Sequence, residues 1–297
     1  MRALVIGGSG QIGGHLLEGL RADGHAAVGT YATSPAPGLV QLALDDDAAV
    51  EAALGDVRPD VVFLPAGWTW VDANEDDPAR SRRENLEAPL RVARHCRDQG
   101  ALFVTYSTDY VFDGAAGPYA EEDPPRPLSV YGRAKLELEE ALARELPGQH
   151  LLLRSTTVFG PERQGKNFVY QLLRRAAKGE RMVVPSDQWA TPSYGPDVAR
   201  ATLALVDRGA RGVWHVAGPD VMDRVALARL ACRVFGIDPD RCVEPRTTAE
   251  LKQKAARPLR GGLRTDRLQA LGLGLRGAEE ALRAMKAEVE AGRAAPI

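Results

Sequence analysis

Cysteine is scarce in this chain: Cys96, Cys232 and Cys242 are the only three among 297 residues. Three thiols so scattered make neither a disulfide framework nor a paired-cysteine metal site, and they point to a reducing compartment, the cytoplasm. An excess of charge of one sign is also missing. Lys and Arg number 38 against 40 Asp and Glu, a net charge of -2, which argues against a dedicated nucleic-acid binder. No apolar run approaches the ~20 residues that a membrane span needs, and the opening run is too short for a signal peptide. Internal repeats, low-complexity tracts and the GxxxxGK(S/T) loop of P-loop NTPases are absent as well. At ~150 residues per domain, the length allows two domains, or one large α/β unit with an extension.

What is present is an alternation. Leu4-Val5-Ile6, Ala26-Ala27-Val28 and residues 60–64, 101–105 and 150–154 are short apolar runs suited to strands buried on both faces. Helical stretches near 47–55, 79–98 and 130–145 separate them, and Leu16, Leu17 and Leu20 have helical spacing. The alternation predicts an α/β fold with a doubly wound parallel sheet. From residue 161 the rhythm changes. A polar loop leads to a helix near 168–178, a short run at 182–184, a helix near 198–207, a strand at 212–217 and helices near 224–235 and 276–291. The tail Gly292–Ile297 is expected to fray.

Gly7, Gly10 and Gly13 form Gly-Gly-Ser-Gly-Gln-Ile-Gly between the first strand and the first helix, in a GxxGxxG spacing. Glycine there lets pyrophosphate approach main-chain N–H groups at a helix N-terminus, so the turn reads as a dinucleotide site. Residues 1–160 then form a dinucleotide-binding domain, with a return at 198–217, and 161–297 are mainly a smaller lobe. From Gly24 to Leu44 there is no acidic residue to accept from a ribose 2′-hydroxyl, and no Lys or Arg. Thr30, Thr33 and Ser34 are available to a 2′-phosphate, which favours NADP over NAD. Asp45 ends the next candidate strand, within reach of an adenine or as a helix cap.

Tyr131 and Lys135 form YxxxK, and on a helix they share a face. A lysine charge ~4 Å from a phenol contributes roughly 4 kcal/mol at an effective dielectric of ~20, enough to lower the phenol by about three units. The pair follows Thr105-Tyr-Ser-Thr-Asp-Tyr-Val-Phe-Asp-Gly114 at a predicted strand end, where such sheets bind ligands. Thr108 or Ser107 is placed to bond the same carbonyl as Tyr131.

With these motifs in view, the chain resembles the extended short-chain dehydrogenase/reductases, and within them the dTDP-4-dehydrorhamnose reductase family. Pro118–Asp123, Pro127–Tyr131, Asp187-Gln-Trp-Ala-Thr-Pro192, Asp197-Val-Ala199 and Arg257-Pro258 extend the likeness over nearly the whole chain. The resemblance implies a Rossmann sheet with a small C-terminal substrate-binding lobe. It implies NAD(P)H-dependent reduction of the C4 ketone of a nucleotide-linked 4-keto-6-deoxy sugar, with Thr108, Tyr131 and Lys135 as catalytic set. Gly7, Gly10, Gln11, Ile12 and Gly13 match its cofactor loop, Ala66 and Gly67 the turn beside the nicotinamide ribose, and Asn85 a supporting helix asparagine. Val71, Asp72, Asp109 and Tyr110 match substrate-side positions; Asn167 and Trp189 lie in the lobe where sugar-nucleotide contacts are expected.

The chain also departs from that pattern. Thr157 stands where rhamnose reductases carry a tryptophan against the sugar, while Trp68 and Trp70 are added after the strand at 60–64, so a reshaped pocket is expected. His15 replaces a carboxylate that serves a magnesium-linked dimer in some members; it reads as a solvated or capping histidine, and no metal is expected. Arg257, Arg260 and Arg264 form a basic run that could meet a substrate diphosphate. A homodimer stays open. Two other readings remain: a non-catalytic NADP-binding subunit resembling the methionine adenosyltransferase beta subunit, and a nucleotide-sugar epimerase.

Overall fold

Seven parallel strands form the frame of the computed structural model, which describes residues 1–297. They are β1 (Arg2–Val5), β2 (Ala26–Tyr31), β3 (Leu39–Gln41), β4 (Val61–Leu64), β5 (Leu102–Thr108), β6 (His150–Ser155) and β7 (Gly212–His215). Their order across the sheet is β7-β6-β5-β4-β1-β2-β3. The longer helices are α1 (Gln11–Ala22), α2 (Asp47–Val57), α3 (Ala88–Gln99), α4 (Val130–Glu145), α5 (Phe168–Ala177), α6 (Gly195–Asp207), α7 (Arg224–Val234) and α8 (Ala278–Glu290).

Period-two alternation sorts the core into two layers. Ala3, Val5, Phe63, Val104 and Leu153 face one side with Leu16 and Leu20 of α1 and Val198 and Leu205 of α6. Leu4, Val62, Phe103 and Leu152 face the other with Leu54 of α2, Val92 of α3 and Leu138 of α4. Burial on both faces explains why these strands read as unbroken apolar runs. Helix α6 packs against α1, and β7 pairs with β6, so residues 195–215 join the sheet after the chain has already entered the lobe. The lobe has its own core, in which Tyr170, Leu173, Leu227 and Met285 pack with the short parallel strands Met182–Pro185 and Val243–Arg246.

Several expectations change. The stretch expected as one helix at 79–98 is a short helix Pro78–Arg82, a π turn Arg83–Glu87 and then α3. Pro89 lacks the N–H that an α-helix would give to the carbonyl of Asn85, and the ladder widens there. The strand expected to end at Asp45 is β3, ending at Gln41; Asp46, and not the exposed Asp45, caps α2 by accepting from Ala49 N at 3.0 Å. The tail does not fray: Ala295 N donates to the Glu162 carbonyl at 2.9 Å, and Arg174 reaches the Pro296 carbonyl at 3.0 Å. Folding also gathers two of the scattered thiols, bringing the buried Cys232 and Cys242 sulfurs to 2.9 Å.

Candidate active site

The carboxyl ends of β1, β4 and β5 meet at one edge of the sheet, and the glycine turn sits there. Gly7 has φ +98, open only to glycine without strain. A Cβ on Gly13 would lie 2.2 Å from the Gly7 carbonyl oxygen, so only glycine lets α1 settle onto the turn. Gly10 caps α1 with no side-chain bond to its first N–H groups, and Gln11 Nε2 is buried without a partner. Donors left open at a helix N-terminus fit an anionic pyrophosphate. Thr30 plays a different part from the one expected. Its hydroxyl is buried and accepts from Gly7 N at 3.4 Å, bracing the turn and leaving Thr33 and Ser34 toward the surface.

A residue that sequence patterns gave no sign of closes this side. Gln164, in the lobe, donates to the Ser9 carbonyl at 2.9 Å and accepts from Ser34 at 3.4 Å, bridging the glycine turn and the loop after β2. His15, expected to be solvated or capping, is instead half-buried between Glu18 and the Pro161 carbonyl, at 2.9 and 2.8 Å.

Helix α4 carries Tyr131 and Lys135 one turn apart on its buried face. Ser129 caps it, accepting from Gly132 N at 3.1 Å. Lys135 Nζ donates to the Tyr106 carbonyl at 3.0 Å. A Cβ on Gly67 would lie 3.5 Å from Lys135 Nζ, and one on Gly7 would lie 3.0 Å from the Cβ of Ala66. The turn after β4 thus joins the glycine turn to the lysine. Asn85, in the π turn, holds that turn. It accepts from Trp68 N at 3.0 Å and donates to the Trp68 carbonyl at 3.1 Å and to Asn74 Oδ1 at 2.9 Å. Asn74 was not foreseen.

The electrostatics differ from the simple estimate. Burial pushes the Tyr131 phenol well above its ordinary range; the Tyr110 and Asp109 side chains push the same way, and the Thr108 hydroxyl beside it pulls back. Lys135 is itself lowered to about 8 by burial, against the pull of Glu139. Burial therefore dominates at Tyr131, and the phenol is held towards its protonated form. Asp109 is buried and raised chiefly for that reason, and it accepts from Gly262 N at 3.2 Å. Thr108 closes the end of β5, accepting from Tyr110 N at 3.2 Å. The Ser107 hydroxyl is buried and has no partner.

Tyr110 lies edge-on to Tyr131, ring centroids 6.0 Å apart, with Arg224 and Arg257 both acting on it. Arg224 was missed, although a cation in the first turn of α7 runs against the helix dipole and was a readable sign of another role. Val71 opens a short helix, Val71–Asp76, whose Asp72 is spent on Arg257 at 2.9 Å and on Ala255 N at 3.0 Å. Asp72 therefore fastens the C-terminal segment across the site, and Lys254 pairs with Asp76 beside it. Arg264 pairs with Asp266 at the surface. Asn167 is the N-cap of α5: Oδ1 accepts from Val169 N and Tyr170 N, and Nδ2 donates to the Gly160 carbonyl and Glu162, which leaves it nothing for a ligand. Thr157 has φ +44, a strained conformation for a β-branched residue. Trp70 is 75% exposed and Trp189 42%, while Trp68 lies under the Arg80 guanidinium at 4.3 Å.

A family model described as RmlD substrate binding domain matches residues 1–291. A dTDP-4-dehydrorhamnose reductase of Streptomyces griseus is 35% identical over 278 residues, 92% of this chain and 88% of that one. A probable low-salt glycan biosynthesis reductase of Haloferax volcanii is 35% identical over 271 residues, 89% of each chain. The crystal structure of a dTDP-4-dehydrorhamnose reductase from Clostridium acetobutylicum is similar with a TM-score of 0.87 at 29% identity, covering 98% of this chain and 100% of that one. One from Bacillus anthracis, in complex with NADP, also has a TM-score of 0.87, at 25% identity, with 97% and 99% covered.

Proposed function

The chain belongs to the RmlD substrate binding domain family, and on that premise we propose that it reduces the C4 ketone of a dTDP-linked 4-keto-6-deoxy sugar with NADPH. The observation that carries the reading is the buried Tyr131, with Thr108 beside it and Lys135 one turn along the same helix face, at the sheet edge that holds the glycine turn. NADPH, when bound, supplies the hydride. Tyr131 gives its phenol proton to the carbonyl oxygen, and the Thr108 hydroxyl donates a hydrogen bond to the same atom, together steadying charge as it develops. Lys135 holds the nicotinamide ribose, and the Ala66-Gly67 turn lines it, clamped by Asn85. The absence of a carboxylate between β2 and Leu44 favours NADPH over NADH. Trp70, Trp189 and Thr157 flank the sugar end. A cytoplasmic setting and a homodimer go with this reading, the second tested by light scattering.

The test mixes the protein with NADPH and a freshly made dTDP-4-keto-6-deoxy sugar and follows absorbance of the reduced cofactor. Tyr131→Phe is expected to lose about 10²- to 10⁴-fold in turnover while NADPH affinity changes less than about twofold. Tight NADPH binding with no oxidation by any such sugar defeats the enzyme reading; full turnover by Tyr131→Phe removes that residue from the mechanism.

A further inference from the structure

Beneath the catalytic helix lies a buried ionic group that the chemistry above does not use. Glu139 is one helical turn beyond Lys135 on the same face of α4, and both are 5% exposed. Arg154 of β6, also 5% exposed, grips the Glu139 carboxylate with Nη2 to Oε2 at 2.6 Å and Nε to the two oxygens at 3.1 and 3.2 Å. The other arm, Nη1, lies 3.3 Å from His215 Nε2. His215 Nδ1 lies 3.0 Å from the Arg264 carbonyl, so Nδ1 carries the proton and Nε2 accepts from Arg154. Burial and then Arg154 hold that imidazole down to about 3, so it is neutral. Phe112 covers the guanidinium at 5.1 Å.

We propose that Glu139 and Arg154 are positioning residues that keep Lys135 in its charged, ribose-holding form without capturing it. The inference rests on the role given to Lys135 in the proposed function. Around Lys135, β5 presents the Tyr106 carbonyl, the turn after β4 presents Gly67, the π turn presents the neutral Asn85, and α4 presents Tyr131 and Glu139. Burial drives Lys135 towards its neutral form, and Glu139 is the single charge opposing it. A bare carboxylate one helical turn away on the same face would draw the ammonium into an ion pair and away from the ribose. Arg154 occupies both carboxylate oxygens, so Glu139 acts on Lys135 as a field and not as a ligand. His215 and Phe112 in turn hold Arg154 in place.

The pair makes an ordered, signed prediction for NADPH affinity measured by cofactor fluorescence between about pH 7 and 10, above the cofactor 2′-phosphate titration near about 6. Wild-type affinity falls as pH rises and Lys135 loses its proton. Glu139→Gln removes the stabilising anion and leaves Arg154 as a buried cation, so the fall moves to lower pH by about one unit. Arg154→Met leaves Glu139 bare: the fall moves to higher pH, and affinity at neutral pH drops because the ammonium is captured. The double variant, in which neither member of the Glu139–Arg154 pair is left behind as a lone charge, falls between Glu139→Gln and wild type. A merely structural pair lowers affinity at every pH and leaves the midpoints together; coincident midpoints, or single variants shifting the same way, overturn the proposal. A wild type with no such fall overturns the ribose role of Lys135 itself, a separate failure read from a separate curve.

Discussion

Replacing Asn85 with alanine tests the clamp that joins the cofactor turn to the catalytic helix. Asn85 and Asn74 are both fully buried. The substitution removes one acceptor and two donors. The Trp68 carbonyl keeps a partner, because Asn74 Nδ2 also reaches it at 3.1 Å. Two groups lose theirs: Trp68 N–H and Asn74 Oδ1. At about 1–3 kcal/mol for each polar group stranded, the loss is about 2–6 kcal/mol. With an unfolding entropy of about 2.1 cal/mol/K per residue, Tm falls by roughly 3–10 °C. Differential scanning fluorimetry reads it directly. The turn that carries Gly67 past Lys135 loosens too, so NADPH affinity at neutral pH is expected to fall roughly tenfold or more. An unchanged Tm together with unchanged NADPH binding refutes the reasoning, because stranding the buried Asn74 Oδ1 and the half-buried Trp68 N–H cannot be free of cost. A lowered Tm with intact NADPH binding would show that Asn85 supports the fold alone.

Two further substitutions test features outside the reacting centre. Both ring nitrogens of His15 face acceptors, Glu18 and the Pro161 carbonyl; these outweigh burial and raise the imidazole above its ordinary value of 6.5. Its contribution is therefore complete below that value and disappears as pH rises through the higher folded one. His15→Asn should lower Tm at pH about 6 and by clearly less at pH about 9; equal losses at the two would contradict the charged bridge. Thr157→Asn should stabilise the protein by about 1 kcal/mol, since asparagine tolerates the left-handed backbone that a β-branched residue resists. Thermal unfolding without any gain would show that the site carries no strain.

Local chemistry is legible in the amino-acid sequence. The glycine turn and the Tyr131–Lys135 pair are each defined by spacing within a few residues, and the sheet is written in apolar runs that burial on both faces demands. The π turn was legible too, in Pro89, had its missing N–H been followed back to Asn85. What escaped is what depends on partners far along the chain. Asp72 reads as a substrate-side position until Arg257 arrives from 185 residues later to claim it. Asn167 is a local exception: it reads as a sugar contact, but its own helix takes its oxygen and the Gly160–Glu162 turn takes its amide N–H groups. The direction of the Tyr131 shift was misjudged because a Coulomb estimate counts the charge of Lys135 but not the depth at which both groups are buried.

The late arrival of β7 sets an order of events during synthesis. Once strand β6 has left the ribosome it has β5 available on one side, while its other side has no partner until residues 212–215 follow. Over that interval Arg154 has Glu139 but not His215, which is 61 residues away in sequence. The half of the molecule that reads as a domain of its own thus leaves the ribosome with an open sheet edge, the kind of surface that invites chaperones or wrong pairing. Completion of the first unit and growth of the lobe are one process. Protease resistance of nascent chains stalled before and after residue 215 reports it: resistance gained well before that point would show that the sheet closes without its last strand.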